Sequence, residues 1–356
     1  MCMVKKLIQK KGSIMHQPVF KVIYLFLLSF FWFCHASAQQ ENLEIYWIDV
    51  EGGAATLIVT PSRQVVLMDA GFQRDDGRDS GRIMAAMEDA GVTEIDYFLA
   101  SHFHGDHVGG LSSLSVNVSI KEFIDHGDSV EQQDGERSLA IWENYLSIVE
   151  GARRSVAAGD QLSLDGIDFT FVTSNGEIFS KELVGTKPNP HCSGAPSGDN
   201  DSGENSRSLG YLLSLGKFQF LNLGDLTFNV QHKLACPQYE LGSVDIFQVP
   251  RHGNAVALQF STAVNPTVAV INNGPRKGGS AAGFDALRAA PDLETIWQLH
   301  RVLGLDDHHN TRAQMTANLT EENDAGYWIK AVVQEDGARY ELMNQRNQFS
   351  RSYMSK

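Results

Sequence analysis

The chain has 356 residues and a formal net charge of −14 at pH 7, from 43 acidic and 29 basic side chains. A surface of this sign repels phosphate backbones, which argues against broad, non-specific binding to nucleic acids. A local metal site could still attract an anion, so the charge does not exclude a phosphodiester substrate. The length is sufficient for one large hydrophobic core or two small ones.

The first 38 residues have the composition of an export signal. Residues 1–21 carry five lysines and no acidic residue, and they are followed by the apolar run VIYLFLLSFFWFC and the small-residue stretch HASA. This order predicts a signal peptide over residues 1–38, cleaved after Ala38, and a single domain over residues 39–356. The run is short for a membrane span of about 20 residues, although an uncleaved anchor is the alternative. We therefore expect a periplasmic or secreted protein with no stable membrane insertion after cleavage; losing five lysines makes its charge −14 − 5 = −19.

Strands and helices alternate in the first half of the chain. Alternating or β-branched residues predict strands in LEIYWIDV, ATLIVT, QVVLMDAG, IDYFLAS and SIKEFIDHG. Apolar residues at helical spacing predict helices in SGRIMAAMEDAG and RSLAIWENYLSIVEG. The strand IDYFLAS leads directly into a cluster of histidines.

The second half continues this alternation. Predicted strands are QLSLDG, IDFTFVTS, SVDIFQVP, PTVAVINN and TIWQLH, with a hairpin around the LGK turn of SLGYLLSLGKFQFLNLGD and a closing hairpin in YWIKAVVQEDGARYELMN. Helices are expected near 228–235 and 281–290, and a loop rich in Gly, Ser, Asn and Pro over about 175–205 is expected to cover a site. The pattern predicts an α/β fold of two packed sheets with helices outside, a four-layer αββα sandwich.

Two of the four cysteines, Cys2 and Cys34, fall in the predicted signal peptide. Cys192 and Cys236 remain, an even number in an oxidising compartment, and we predict that they form a disulfide bond. Two free thiols, or one thiol as a metal ligand, are the alternatives.

Four side chains that can bind metal crowd into SHFHGDHVGG at positions 101–110. Burying His102, His104, Asp106 and His107 after an apolar strand would be costly without partners. Imidazole and carboxylate are natural ligands of divalent metal ions, which remove that cost. Because residues i and i+2 of an extended segment point to one side, His102 and His104 are expected to share one ion. Asp106 and His107 then face a second ion.

On these residues the chain resembles the metallo-β-lactamase superfamily of metal-dependent hydrolases, and VVLMDAG, FLNLGD and VPRHG match further motifs of that family. The resemblance implies that Asp69 orders the histidine loop, that Asp225 bridges both ions and that His252 completes the second site. It also implies two divalent metal ions as the cofactor. Zinc is the expected metal, and manganese and iron are the alternatives. The predicted metal ligands are His102, His104, Asp106, His107, Asp225 and His252.

Within this superfamily the chain is most similar to the hydrolase domain of ComEC-type competence proteins, in an exported, stand-alone form. The likeness is carried by IDVEGGAA, ENSRSLGYLL, KFQFLNLGDL and VDIFQVPRHG. Family members often have a third histidine ligand before the bridging aspartate, and this chain has none at that place. Glu204 or Asn205, His191, and water remain open as the replacement.

Two basic residues near strand ends are candidate substrate contacts. Arg251 stands where the subfamily usually has a histidine, and two parallel N–H groups of its guanidinium can bind an anionic group. The alternative is that Arg251 pairs with a surface acid. His300 ends the strand TIWQLH. Lys277, in the turn GPRKGGS, could also bind an anion, although a solvated loop lysine is the commoner outcome.

The predicted reaction is hydrolysis by a metal-bound hydroxide, since bound metal lowers the pKa of water from about 15.7 to about 7. Asp106 and Asp225 are the predicted catalytic residues because either can orient that hydroxide. We expect a small-molecule substrate with a phosphoester or phosphodiester bond; the alternatives are a β-lactam or lactone hydrolase and a non-catalytic, metal-binding remnant. Asp225 replaces the cysteine of one major β-lactamase class, which favours the first hypothesis. The oligomeric state stays open.

Overall fold

Strands form where the alternating and β-branched segments predict them. The computed structural model describes residues 42–74, 76–180, 188–192, 201–254, 256–321 and 325–356. The first nine strands are β1 (Leu43–Trp47), β2 (Thr56–Val59), β3 (Val65–Met68), β4 (Glu94–Leu99), β5 (Ser119–Asp125), β6 (Arg153–Ser155), β7 (Gln161–Leu164), β8 (Ile167–Ser174) and β9 (Glu177–Ile178). The next nine are β10 (Gly210–Leu215), β11 (Phe218–Asn222), β12 (Ile246–Gln248), β13 (Val268–Ile271), β14 (Thr295–His300), β15 (Thr316–Asn318), β16 (Ile329–Val333), β17 (Arg339–Asn344) and β18 (Ser350–Met354).

Helices lie between these strands. They are α1 (Arg78–Asp89), α2 (Leu111–Ser115), α3 (Glu136–Val149), α4 (Phe228–Ala235), α5 (Leu258–Val264) and α6 (Ala281–Arg288). The helical spacing predicted α1, α3, α4 and α6, whereas α2 and α5 were not predicted because one or two turns carry too little periodicity. Within the described ranges, no helix has both the length and the apolar character needed to cross a membrane.

The strands form two mixed sheets. In the first sheet the order is β18-β17-β16-β1-β2-β3-β4-β5-β6, and β3 to β6 are parallel. In the second sheet the order is β15-β14-β13-β12-β11-β10-β8-β7, with β9 beside β8, and β11 to β15 are parallel. Neighbouring parallel strands end at the same edge of a sheet, which is where polar functional groups collect in such folds.

The main hydrophobic core lies between the two sheets. Trp47 of the first sheet is fully buried against Phe220 of the second, with ring centroids 5.5 Å apart in an edge-to-face arrangement. Its indole N–H donates to Gln248 Oε1 at 2.9 Å, so the polar part of this large side chain is also satisfied. Two further clusters join the first sheet to α1, α2 and α3, and the second sheet to α4, α5 and α6. The predicted αββα sandwich is confirmed.

The disulfide bond between Cys192 and Cys236 is present, with a Cα–Cα distance of 5.6 Å, so that prediction is confirmed. It joins the segment 188–192 to the end of α4. The predicted signal peptide lies outside the described residues, as do 181–187 and 193–200 of the predicted loop. A single domain over 39–356 stays a prediction.

Candidate metal centre

Asp106, His107, Asp225 and His252 form one cluster whose ligand atoms all lie within 4.8 Å of one another. His107 Nε2 is 3.5 Å from Asp106 Oδ2 and 3.5 Å from Asp225 Oδ1. His252 Nε2 is 3.2 Å from Asp106 Oδ2 and 3.4 Å from Asp225 Oδ2. Both Nε2 atoms are buried and have no hydrogen-bond partner among the described residues. Buried imidazole nitrogens that face two carboxylates in this way fit a divalent cation.

The backbone brings these four residues together from both sheets. Asp106 and His107 lie in the turn after β4, Asp225 follows β11, and His252 follows β12. Arg251 and His252 both have left-handed backbones, with φ of 51° and 56°. This conformation costs a non-glycine residue roughly 1–2 kcal/mol, so the chain bears strain where it turns the His252 side chain into the cluster.

His102 and His104 lie beside this cluster and face each other. His102 Nε2 is 3.0 Å from His104 Nδ1, and the His102 ring lies 4.0 Å from the His107 ring, measured between centroids. Burial lowers the pKa of His102 well below its usual value, and the charges of His107 and His104 lower it further. A neutral imidazole offers the lone pair that a metal ion requires. The pair therefore fits a first ion next to the four-residue cluster.

Asp69 holds the histidine loop without entering the cluster. Its carboxylate accepts hydrogen bonds from Ser101 N at 2.8 Å and Ser101 Oγ at 2.7 Å, and it lies 2.8 Å from His107 Nδ1. Because Nδ1 is occupied there, Nε2 of His107 faces Asp106 and Asp225. Burial acts to lower the pKa of His107, but the charges of Asp225, Asp69 and Asp106 outweigh it, and the pKa lies well above its usual value.

Glu204 is a buried hub of hydrogen bonds. One carboxylate oxygen accepts from Ser129 Oγ at 2.8 Å and Val130 N at 2.7 Å. The other accepts from Phe103 N at 3.0 Å and lies 3.1 Å from His126 Nε2. With both oxygens engaged, Glu204 ties the histidine loop to the segment after β5. The structure thus gives Glu204 a positioning role in place of the ligand role considered from the sequence, and His126 is its partner.

Of the other replacements for the third histidine, Asn205 is the better placed. Its Oδ1 is buried without a hydrogen-bond partner among the described residues, and the residue lines a cavity of about 300 Å³ together with His104 and Arg251. His191 is exposed and lies beside the disulfide bond, where its N–H donates to Asn189 Oδ1 at 3.0 Å.

Glu131 is a site residue that the sequence analysis missed. Its Oε2 lies 3.2 Å from His104 Nε2, and its Oε1 accepts from Glu204 N at 2.9 Å. A carboxylate that binds one nitrogen of an imidazole fixes the ring and leaves the other nitrogen free to bind metal. In His104 this other nitrogen is Nδ1, the atom that faces His102. No sequence motif marks this glutamate, because its partners come from distant segments.

The predicted substrate contacts have different surroundings. Arg251 lines the same cavity as His104, directly before the ligand His252. His300 is buried, and its Nε2 lies 2.7 Å from Asp49 Oδ1, also buried. Its contact with substrate stays a prediction. Lys277 does not extend freely into solvent: its ammonium binds Asp106 Oδ2 and lies 5.1 Å from the centroid of the Phe72 ring.

Comparison with known proteins finds a family whose model matches part of the chain. Residues 48–195 match the family model of the metallo-beta-lactamase superfamily. No curated protein matches the chain. The metallo-beta-lactamase fold protein YhfI of Bacillus subtilis is similar to it at 9% identity over 82% of this chain and 100% of that one, with a TM-score of 0.44.

Two metallo-beta-lactamases are also similar in structure. MEM-A1, a subclass B3 enzyme from a soil metagenome library, has 15% identity over 60% of this chain and 80% of its own, with a TM-score of 0.38. A HARLDQ motif mutant of a metallo-beta-lactamase from Cronobacter sakazakii has 15% identity over 57% of this chain and 75% of its own, with a TM-score of 0.35. The assignment rests on the family-model match, which confirms the resemblance to the superfamily; the closeness to ComEC-type proteins stays a prediction.

Proposed function

We propose that this chain, a metal-dependent hydrolase of the metallo-β-lactamase superfamily, is exported and cleaves a phosphoester or phosphodiester bond with the aid of two divalent ions, zinc first. The observation that carries the proposal is the cluster of Asp106, His107, Asp225 and His252 beside the His102–His104 pair. When bound, such ions supply hydroxide at neutral pH and neutralise charge that develops on oxygen.

The chain's own residues have separable tasks in this reaction. His102, His107 and His252 are buried, and His104 is partly exposed. The pKa values of His107 and His252 are raised, so these two rings must each release a proton before all four imidazoles offer a lone pair to metal. Asp106 and Asp225 face His107 and His252, and their carboxylate oxygens can accept a hydrogen bond from an attacking water and orient it. Accepting this hydrogen bond through either carboxylate oxygen needs an ionised carboxylate. Burial acts to raise the pKa of Asp225, but the charges of His252 and His107 outweigh it and hold this pKa well below its usual value.

Arg251 supports an anionic phosphoester substrate over a neutral lactone. Its side chain lines the cavity that His104 and Asn205 also line, so a cation stands next to the first site. A guanidinium binds two oxygens of one phosphate in parallel, a geometry that a single carbonyl oxygen cannot use fully. A carboxylate at position 225, rather than a thiolate, adds a hard oxygen ligand that suits phosphate chemistry with zinc or manganese.

The test is metal content and turnover of the purified protein. After removal of metal and reloading with zinc or manganese, we expect close to two ions per chain and hydrolysis of bis-p-nitrophenyl phosphate. Asp225→Asn is expected to lower turnover at least about a hundredfold. Asp128→Asn removes an exposed carboxylate and serves as the matched control. Turnover of nitrocefin or a lactone alone would overturn the phosphoester proposal, and one ion or fewer with no turnover would indicate a metal-binding remnant.

A further inference from the structure

Lys277 is a cation built into the metal centre on the side of Asp106. It lies in the loop between β13 and α6, and its ammonium binds Asp106 Oδ2. The Phe72 ring lies beneath this ammonium at 5.1 Å, a cation–π contact that adds to its placement. The side chain remains 43% exposed, so a ligand can reach it from solvent.

Backbone packing fixes the loop that carries Lys277. Its carbonyl accepts from Gly274 N at 2.7 Å, and Gly279 N donates to the carbonyl of His252 at 2.8 Å. A Cβ placed on Gly52 would lie 2.8 Å from the Lys277 Cβ, so the glycine turn after β1 packs directly against this lysine. The fold therefore fixes the backbone and Cβ of Lys277, and the contacts with Asp106 and Phe72 place its ammonium.

The ammonium of Lys277 beside the proposed metal ligand Asp106 indicates the charge of the molecule that binds at this side of the centre. A divalent ion on Asp106 would stand next to the positive charge of Lys277, and the two cations repel each other. The carboxylate of Asp106 offsets only part of this positive charge, so a further anionic oxygen that contacts both cations makes the arrangement more favourable. The loop also borders a cleft of about 560 Å³ that reaches Asn254 and Leu303, which gives the remainder of such an anion room.

We propose that Lys277 binds an anionic oxygen of the substrate on the Asp106 side of the metal centre, so that this site selects substrates charged at the reacting group. The inference rests on the proposed function and narrows it to anionic phosphoesters. Arg276 provides a contrast within the same loop. It is 73% exposed, and its guanidinium donates to Glu321 Oε2 at 2.7 Å. Arg276 thus pairs with a surface carboxylate, whereas Lys277 pairs with Asp106.

The test compares a charged and a neutral substrate in the metal-loaded full protein. Lys277→Met keeps most of the side-chain length and removes the charge. We expect it to lower kcat/KM for the monoanion bis-p-nitrophenyl phosphate about ten- to a hundredfold, the value of one charge-assisted hydrogen bond. Hydrolysis of the neutral dimethyl p-nitrophenyl phosphate should stay within about twofold. Arg276→Met should change neither substrate by more than about twofold.

Calorimetric binding of inorganic phosphate to the zinc-loaded protein separates this inference from the proposed function. Lys277→Met should weaken phosphate binding by a similar factor, with zinc content unchanged. If the wild type hydrolyses no ester but phosphate binding weakens, the proposed function fails and the anion site stands. An equal loss on both substrates, a loss of zinc from the variant, or unchanged phosphate binding would overturn the role of Lys277.

Discussion

Replacing Glu204 tests whether this residue is a structural hub or a metal ligand. Glu204→Ala removes the acceptor of four donors: the N–H groups of Phe103 and Val130, the Ser129 hydroxyl and the His126 ring. The Ser129 hydroxyl can rotate to another acceptor, but the N–H of Phe103 and the His126 ring stay buried. Leaving buried donors unpaired and breaking a buried charged contact costs about 3–5 kcal/mol of unfolding free energy. Glu204→Gln retains one acceptor oxygen but turns an amide N–H₂ towards donors. We therefore expect this variant to lose about 2 kcal/mol of unfolding free energy.

The assay is equilibrium urea unfolding of the metal-free protein in chelator. If Glu204 were a metal ligand, it would contribute little to the free energy of unfolding without metal, whereas a hydrogen-bonding hub contributes fully. Glu143→Ala, on the exposed face of α3, is the matched control and should stay within about 0.5 kcal/mol. Glu204→His, which restores the residue type common in the family, should be destabilised like the alanine variant. Equal stability of metal-free wild type and Glu204→Ala, with zinc lost only from the variant, would refute the hub and restore the ligand role.

The pH dependence supplies an independent check of the same residue. Burial acts to raise the pKa of Glu204, but the hydrogen bond and charge of His126 and the N–H groups of Phe103 and Val130 outweigh it, so the pKa lies below its ordinary value of 4.5. A lowered carboxylate pKa stabilises the fold above the unfolded-state pKa, and this contribution is lost as the pH falls through the folded-state value. The stability difference between wild type and Glu204→Gln should therefore be full at neutral pH and shrink in acid.

Three further predictions follow from the centre and the disulfide bond. Asp69→Asn should weaken zinc binding about ten- to a hundredfold, measured by chelator competition, because Asn cannot accept from both Ser101 and His107 as the carboxylate does; unchanged affinity would contradict the orienting role. Since the pKa of His107 is raised, zinc uptake at neutral pH should release at least about one proton per chain, seen as a buffer-dependent enthalpy in calorimetry, and affinity should fall as the pH is lowered. Cys192→Ser with Cys236→Ser opens a link across 44 residues and should cost about 2–4 kcal/mol in urea unfolding, with no added effect of reductant on the variant.

The elements with strong periodicity could be predicted from the sequence, and the weakly periodic ones could not. The spacing of Ile83, Met84 and Met87 predicts α1 because these side chains need one apolar stripe. The edge strand β18 was missed because four of its five residues are exposed, so burial imposes no alternation on its composition. The short β6, β9 and β15 and the helices α2 and α5 were missed because two to seven residues do not establish a period.

The site divides in a similar way between local and distant contacts. His102, His104, Asp106 and His107 were recognisable because one turn holds them all, and Asp225 and His252 because each follows a buried strand in a family motif. The role of Glu204 depends on donors more than seventy residues earlier in the chain, at Ser129 and Val130. The contact between Lys277 and Asp106 spans 171 residues. No local pattern encodes such pairs, since they arise only when the two sheets pack.

The division of the proposed ligands between the two sheets has a consequence for when metal can bind. The first half of the chain provides four potential donors, but the carboxylate of Asp225 and the imidazole of His252 arrive only after the second sheet has docked. On the proposed function, a partly synthesised chain thus lacks a closed coordination shell, and we expect high-affinity metal uptake only once the second sheet has docked.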